Sequence, residues 1–436
     1  MIRKKVLIIS HNALSMNLSN GKTLSAIFSS WSNQEIAQLY FQDEIPESNK
    51  YNNFYRLRDL DILKSFFSNK DFKVVGCIIE PERVVERYYN HWSITKRIIF
   101  GFLSKFSIIK IFIRDWMYGR DRWISDGLLR WISQFKPDSI FFVAGNSSFS
   151  FKVSRKLSFI YNIPLDIFIT DDYIINNYPS NFLELFLHRR LLDSYKETIT
   201  SARNVFVIGE DMALEYKNFF KRDFSTVMNA VNISSKIPKI LNEKTEKAEI
   251  DIVYCGGLHS GRDLAISNFG NLLSQVKEIT GHSISFHVYS SQVPCRKAKL
   301  LFKKYNIIYC GYLNPNKINN RLSLADLLLH VESFDKRNIR KTKLSISTKI
   351  PEYLASGSCI VAYGPSEVSS IRLIYNNSIG MAITELDDES SAVKKLSNLV
   401  MSVDNRTELS IRAYKFALNN FSLEVVRDKM SLYLNA

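Results

Sequence analysis

Short apolar runs bounded by polar or glycine-containing turns recur through the first half of the chain: Val6 to Ser10, Phe72 to Ile79, Ser139 to Ala144, Leu165 to Thr170 and Asn204 to Ile208. Runs of this length predict parallel strands buried on both faces. Between them, Thr23 to Trp31, Ile124 to Gln134 and Lys152 to Tyr161 read as helices. Strands alternating with helices predict a doubly wound α/β domain. After Val231 the chain turns polar and charged through Pro238, Asn242, Glu243, Lys244 and Glu249, which predicts a linker. A second series of strands follows at Ile250 to Cys255, Ser283 to Tyr289, Ile307 to Cys310, Leu327 to Val331 and Ser358 to Ala362. The pattern predicts two Rossmann-like domains facing each other across a ligand-binding cleft. The expected boundaries are 1–235 for the first domain and 236–415 for the second, with 416–436 a C-terminal helix packing back on the first.

A length of 436 residues suits two domains, and 46% hydrophobic with 23% charged residues excludes a disordered chain. The formal charge of +15, from 58 Lys and Arg against 43 Asp and Glu, points to anionic partners. No nucleic-acid motif accompanies it, so nucleic acid is not an expected partner. Five cysteines show no paired metal-ligand spacing, which argues against a zinc site or a disulfide framework. Cys77, Cys255, Cys310 and Cys359 lie in or beside apolar runs and are expected to act as small buried hydrophobes, as suits a reducing cytoplasm. The run Val6 to Ile9 is too short for a signal-peptide core, and no stretch approaches the length of a membrane span.

The segment Ser93 to Ile132 stands apart, with eight basic and three acidic residues interleaved with Phe100, Phe102, Phe106, Phe112, Trp116, Trp123 and Trp131. That mixture suits a helix lying on an anionic membrane surface. A helix pair whose aromatic face packs on its own sheet is the alternative.

Two stretches carry candidate chemistry. In the first, Tyr254-Cys255-Gly256-Gly257-Leu258-His259-Ser260-Gly261-Arg262-Asp263, a strand leads through glycines into a helix. Backbone amides at the helix start, together with the Arg262 guanidinium, suit a diphosphate. In the second, Ser347-Thr348-Lys349-Ile350-Pro351-Glu352-Tyr353-Leu354-Ala355-Ser356-Gly357, hydroxyls and a lysine precede a helix carrying Glu352 in its first turn. A carboxylate there can accept from two ribose hydroxyls, or it can serve only the helix dipole.

These two stretches resemble those of the GT-B glycosyltransferases, especially the bacterial group 1 or family 4-like transferases that build cell-surface polysaccharides. The second matches their S/T-K-x-x-E-Y-x-A-x-G signature and is followed by the strand Ser358 to Ala362. Between the two, Cys310-Gly311-Tyr312-Leu313 and Ala325-Asp326-Leu327-Leu328-Leu329 match further family elements in order and spacing, so the likeness covers about residues 250–365. It implies a hexosyltransferase that moves a sugar from a nucleotide-sugar donor to a hydroxyl of a saccharide or lipid-linked acceptor. The nucleotide sugar is a substrate, and neither a cofactor nor a metal is expected.

The resemblance implies that Gly256, Gly257, Arg262, Thr348 and Lys349 meet the donor diphosphate, that Glu352 holds the ribose, and that Gly311 and Tyr312 border the base. Gly257 replaces a usual arginine, and Ser345 stands where the family often has a second glutamate, which leaves Glu332 as the candidate facing the sugar. In the first domain, His11, Asn20, Gly21 and Lys22 resemble the acceptor-side loop, and Asp171 or Asp172 is placed to act as general base. An aspartate base favours inversion at the sugar, whereas relatives with this signature mostly retain configuration. A sugar-nucleotide epimerase and a non-catalytic scaffold on the same fold are the alternatives. The expected location is the cytoplasm, peripheral at the inner face of the cell membrane.

Overall fold

A computed structural model of the chain describes residues 3–15, 19–67, 75–80, 107–233 and 249–435. The chain divides into two compact units, Met1–Val227 with Arg427–Ala436, and Met228–Val426. The boundaries therefore fall at Val227/Met228 and Val426/Arg427 rather than at 235/236 and 415/416. The charged stretch expected as a linker lies outside the described residues.

The first unit is built on an eight-stranded sheet. Its strands are β1 (Val6–Ser10), β2 (Ile36–Tyr40), β3 (Phe54–Arg56), β4 (Cys77–Ile79), β5 (Ser139–Ala144), β6 (Leu165–Ile169), β7 (Val205–Val207) and β8 (Ser225–Thr226), in the order 4-3-2-1-5-6-7-8. All neighbours run parallel except β3 and β4. β4 thus departs from the expected buried parallel strand: it is an antiparallel edge on which Ile78 is 54% exposed. The central strands β1 and β5 are buried throughout, as their unbroken apolar runs require. Helices Ser148–Tyr161, Phe182–Ser201 and Glu210–Phe220 connect the later strands. From Arg427 the helix Leu423–Asn435 joins this unit, where Met430 and Leu434 are buried and Tyr433 meets Phe206 edge-on.

The second unit holds an all-parallel six-stranded sheet of β9 (Glu249–Cys255), β10 (Ser283–Tyr289), β11 (Ile307–Gly311), β12 (Leu327–Val331), β13 (Cys359–Tyr363) and β14 (Met381–Ile383), in the order 11-10-9-12-13-14. One face carries Ile250, Ile252, Phe286, Val288, Leu327 and Leu329 against Ile266, Phe269 and Val276 of the helix Arg262–Thr280. Helix Val403–Phe421 stays in this unit. On the edge strand β11, Cys310 is exposed instead of buried, because β11 has a neighbour on one side only.

Candidate functional site

In the second unit the ends of β9 and β12 and the start of two helices bring the two chemical stretches together. β9 stops at Cys255, and the loop 256–261 leads into the helix at Arg262. The loop is held by its own side chains and by Gln292: Tyr254 Oη donates to the Gly257 carbonyl at 2.6 Å, while Gln292 Oε1 accepts from the amides of Leu258 and His259 at 2.7 and 2.9 Å. Gly261 sits in the left-handed region with φ of 74°, and a Cβ there would lie 2.8 Å from Ser333 Oγ.

Tyr353 clamps the second stretch onto the first. Its buried hydroxyl accepts from the Cys255 amide at 2.8 Å and donates to the Cys255 carbonyl at 3.1 Å. Helix Ile350–Ala355 is thereby fixed beside the end of β9, with Lys349 as its N-cap and Glu352, half-buried, in its first turn. The Lys349 ammonium reaches the backbone of Gly256, where a Cβ would come within 2.5 Å of Nζ. Glycine at 256 is thus a requirement of space. The Thr348 carbonyl accepts from Asn229 Nδ2 at 3.0 Å.

Arg262 and Glu332, expected to act separately, are partners. Arg262 Nη2 donates to both oxygens of Glu332 at 2.8 and 3.0 Å, and the Glu332 side chain is 4% exposed. Burial pushes the Glu332 carboxyl above its usual range although Arg262 and Lys349 pull it down, and the pair raises the Arg262 guanidinium against its own burial. His330, one turn of strand away, is driven down to about 3 by burial and then by Arg262 and Lys349. Burial and Arg262 likewise lower the Lys349 ammonium, and His259 shifts the same way for the same reasons. Burial is the larger cause of all three shifts, and the Arg262 charge adds to it in each, a repulsion that an anionic ligand would relieve. Gly311 ends β11 with φ of 72°, its carbonyl accepting from the Ser290 amide at 2.8 Å, and Tyr312 beside it is 67% exposed.

The first unit gathers the remaining candidates. His11 follows β1 at the point where the strand order reverses, the usual ligand position in such sheets. Its ring lies edge-on to Phe41 and Phe149 and beside Gly145. Burial, with Arg114 nearby, lowers His11 to about 4. Its Nε2 is sealed and accepts no hydrogen bond among the described residues. Asn20, Gly21 and Lys22 lie in the first turn of the helix Ser19–Ile27; the side chain of Asn20 is outside the described residues. A Cβ on Gly21 would meet the Ala13 carbonyl at 2.5 Å, so this glycine permits the loop to lie on the helix.

The paired aspartates part company. Asp172 is buried and accepts from the amides of Ile174, Ile175 and Asn176, from Asn176 Nδ2 and from Tyr216 Oη, all within 3.1 Å. A carboxylate so committed organises its loop and has no lone pair left for a substrate proton. Asp171 is half-buried, with Thr170 Oγ1 and Tyr173 Oη each 3.4 Å from Oδ2. Among the described residues no group of three or more His, Cys, Asp or Glu is placed to hold a metal ion.

No family model and no curated protein sequence matches the chain. Solved structures do. WaaG, a glycosyltransferase involved in lipopolysaccharide biosynthesis, aligns over 99% of this chain and 100% of its own at 11% identity and a TM-score of 0.57. S. aureus TarM, in complex with Fondaparinux, alpha-GlcNAc-glycerol and UDP, gives 12% identity, 99% and 100% coverage and a TM-score of 0.59. A UDP-forming trehalose-phosphate synthase from Burkholderia xenovorans gives 10%, 99% and 98% coverage, and 0.60. The chain has the two-domain GT-B fold.

Within this GT-B chain, sequence reasoning passed over Asn229, Gln292 and the hydroxyl of Tyr353. Tyr353 lay inside a recognised motif, whereas Asn229 and Gln292 lay in stretches with no motif. Of the segment 93–132, residues 93–106 lie outside the described residues, and the described tryptophans divide between the two readings. Trp123 is fully buried with its indole N–H on the Tyr118 carbonyl, and Trp131 is 5% exposed, donating to Asn53 Oδ1. These two rings belong to the core. Trp116 is 48% exposed on the helix Ser107–Gly119, stacked on Phe66 with Arg120 over its other side.

Proposed function

We propose that this protein is a glycosyltransferase of hexosyltransferase type that moves a sugar from a nucleotide-sugar donor to a hydroxyl of a saccharide or lipid-linked acceptor in cell-surface polysaccharide synthesis. The observation that carries the reading is the Tyr353 clamp, which puts Lys349, Glu352, Arg262 and the 256–257 backbone at one sheet end. Glycosyltransferases among the neighbours, one of them crystallised with UDP and alpha-GlcNAc-glycerol, support it.

In this mechanism the bond from the sugar's anomeric carbon to the diphosphate oxygen breaks, and its electron pair leaves with the diphosphate. Lys349 and Arg262 stabilise the departing charge, Thr348 donates to a phosphate oxygen, and the amides of Gly256 and Gly257 line its approach. Glu352 accepts from the ribose hydroxyls, while the backbone at Gly311 and Tyr312 borders the base. Glu332 acts through Arg262 as a positioning residue. The acceptor hydroxyl oxygen forms the new bond to the anomeric carbon as Asp171, not Asp172, takes its proton, with His11, Gly21 and Lys22 on the acceptor side. Incubation with a panel of nucleotide sugars, with and without membrane lipid extract, tests this by nucleotide release and product mass. Acceptor-dependent release is expected; epimerised donor, or nucleotide binding without turnover, would replace the reading with an epimerase or a scaffold.

The finer reading of the acceptor is that it lies in a membrane, with the enzyme peripheral at the cytoplasmic face. No helix among the described residues is long and apolar enough to cross one. An exposed apolar shelf supports surface docking: Ile113 and Trp116 on one helix, and Phe182 (82% exposed), Leu183 and Phe186 on the helix Phe182–Ser201. Phe112 stacks on Phe186 to join the two helices, and Lys110, Arg120, Arg189 and Arg190 supply positive charge beside them. Aromatic side chains flanked by cations suit an anionic interface. Sedimentation with phosphatidylglycerol vesicles is expected to fall sharply in Trp116→Ala/Phe186→Ala; equal binding by that variant would remove the shelf from the reading.

A further inference from the structure

Asn229 belongs to none of the recognised stretches. It lies two residues beyond the point where the chain leaves the first unit; at Val227 the backbone amide still donates to the Val207 carbonyl at 2.8 Å. Two residues further on, Val231 is pinned to the returning chain: its amide donates to the Phe421 carbonyl at 2.9 Å, and its carbonyl accepts from the Leu423 amide at 3.0 Å. Asn229 is 2% exposed, and its Nδ2 reaches across 119 residues of sequence to the Thr348 carbonyl at 3.0 Å. Its Oδ1 is sealed from solvent and accepts no hydrogen bond among the described residues.

Stability does not account for this residue. A buried acceptor without a donor costs about 1–3 kcal/mol, which offsets what the bond to the Thr348 carbonyl contributes. What asparagine adds is control of one peptide plane. The Thr348 carbonyl and the Lys349 amide are the two ends of a rigid unit, so holding the first fixes the second and the direction in which both side chains leave the backbone. Lys349 is the N-cap of the helix Ile350–Ala355, with φ of −85° and ψ of −20°, and no side-chain cap bond secures that helix start.

We propose that Asn229 is a positioning residue of the donor loop: its amide sets the Thr348–Lys349 peptide so that the Thr348 hydroxyl and the Lys349 ammonium meet the donor diphosphate. The inference rests on the donor-site reading above. It also ties that loop to the stretch of chain that crosses between the units, since Asn229 lies between the backbone anchors at Val227 and Val231.

Calorimetric titration of the full chain with UDP, GDP and ADP, and with uridine, guanosine and adenosine, provides the test. For whichever diphosphate the wild type binds, Asn229→Leu is expected to raise Kd about tenfold, while the matching nucleoside shifts less than about twofold. A general loosening of the fold would weaken nucleoside and diphosphate alike, and that result overturns the proposal. Unchanged diphosphate affinity in Asn229→Leu overturns it as well and leaves the donor site standing. Failure of the wild type to bind any diphosphate sinks the donor-site reading itself, and this inference with it. Asn229→Ala, which needs no extra room, is expected to show the same split and is read by the same criteria.

Discussion

The Arg262–Glu332 pair gives the sharpest physical test. Arg262→Met keeps the aliphatic stem and removes the guanidinium, leaving a carboxylate that is 4% exposed with two bonds of 2.8 and 3.0 Å gone. Stranding one member of a buried pair costs about 3–5 kcal/mol. The second unit spans 426 − 228 + 1 = 199 residues, and at that size each kcal/mol moves Tm by about 2–4 °C, so a drop of roughly 6–20 °C is expected. Glu332→Gln retains one acceptor and should cost less, about 2–3 kcal/mol. The double variant should recover much of the loss, because neither unpaired charge remains. Differential scanning calorimetry of the four proteins measures the coupling; additivity within about 0.5 kcal/mol would refute the pairing. A pH series adds an independent check. Burial already raises the Glu332 carboxyl, and Arg262 is its main opposing pull, so Arg262→Met lets it climb further. An acid with a raised folded pKa holds its proton in the folded state after the unfolded state has released it. Stability from Glu332 is therefore fully present below the ordinary value of 4.5 and is lost as pH rises toward the folded value. Arg262→Met should lose stability from pH 4.5 upward more steeply than wild type, and the double variant should not.

Gly256→Ala should weaken nucleoside diphosphate binding about tenfold in calorimetric titration and also lower Tm, because the new Cβ would meet both the end of Lys349 at 2.5 Å and the hydroxyl of the buried Tyr254 at 2.7 Å. Asp172→Asn should destabilise the first unit by about 2–4 kcal/mol in urea titration, since an amide cannot accept all five bonds. Asp171→Asn should instead leave stability within about 0.5 kcal/mol and lower the transfer rate roughly 10²- to 10⁴-fold in a product assay. His11, with a folded value of about 4 against 6.5, binds fewer protons folded than unfolded, so its contribution is present above 6.5 and is lost as pH falls toward 4. That loss is on the order of 3 kcal/mol, and His11→Asn should flatten it in urea titrations at pH 7.5 and 4.5.

How far the sequence could be read depended on whether an apolar run was interrupted. β1 and β5 were legible because nothing polar breaks them. β2 and β3 were missed because Gln38 and Arg56 lie inside them. Both are buried with partners: Gln38 bonds Ser10 Oγ, the Asn12 carbonyl and the Leu14 amide, and Arg56 pairs with Asp43 at 2.9 Å. Periodicity treats such residues as turns, since the partners that permit burial are remote in sequence. The same limit applied in the site. Motif spacing singled out Arg262, Lys349 and Glu352 as candidates, because each lies a fixed distance from a strand end. It could not pair Arg262 with Glu332 across 70 residues, or Tyr353 with Cys255 across 98. Nor could it separate Asp171 from Asp172, neighbours of one residue type distinguished only by what surrounds them.

The glycine at 257, read from sequence as a lost cation, lies against the ring of His259 in the structure. A Cβ there would lie 2.8 and 2.9 Å from Cδ2 and Nε2 of His259, so a side chain at 257 would have to turn that imidazole aside. That imidazole is lowered by burial, Arg262 and Lys349, and therefore stands neutral near pH 7. Two cations remain for a diphosphate, and they are not equivalent. Arg262 already gives both bonds of its Nη2 to Glu332, whereas Lys349 is held below its usual value by burial and by Arg262, with no carboxylate strong enough to reverse the shift. An incoming diphosphate supplies that missing counter-charge at Lys349 and only adds to what Arg262 has. Lys349→Met should therefore cost more diphosphate affinity than Arg262→Met in the same titrations, and the reverse order would mean that the Glu332 pair opens to release Arg262 when the ligand arrives.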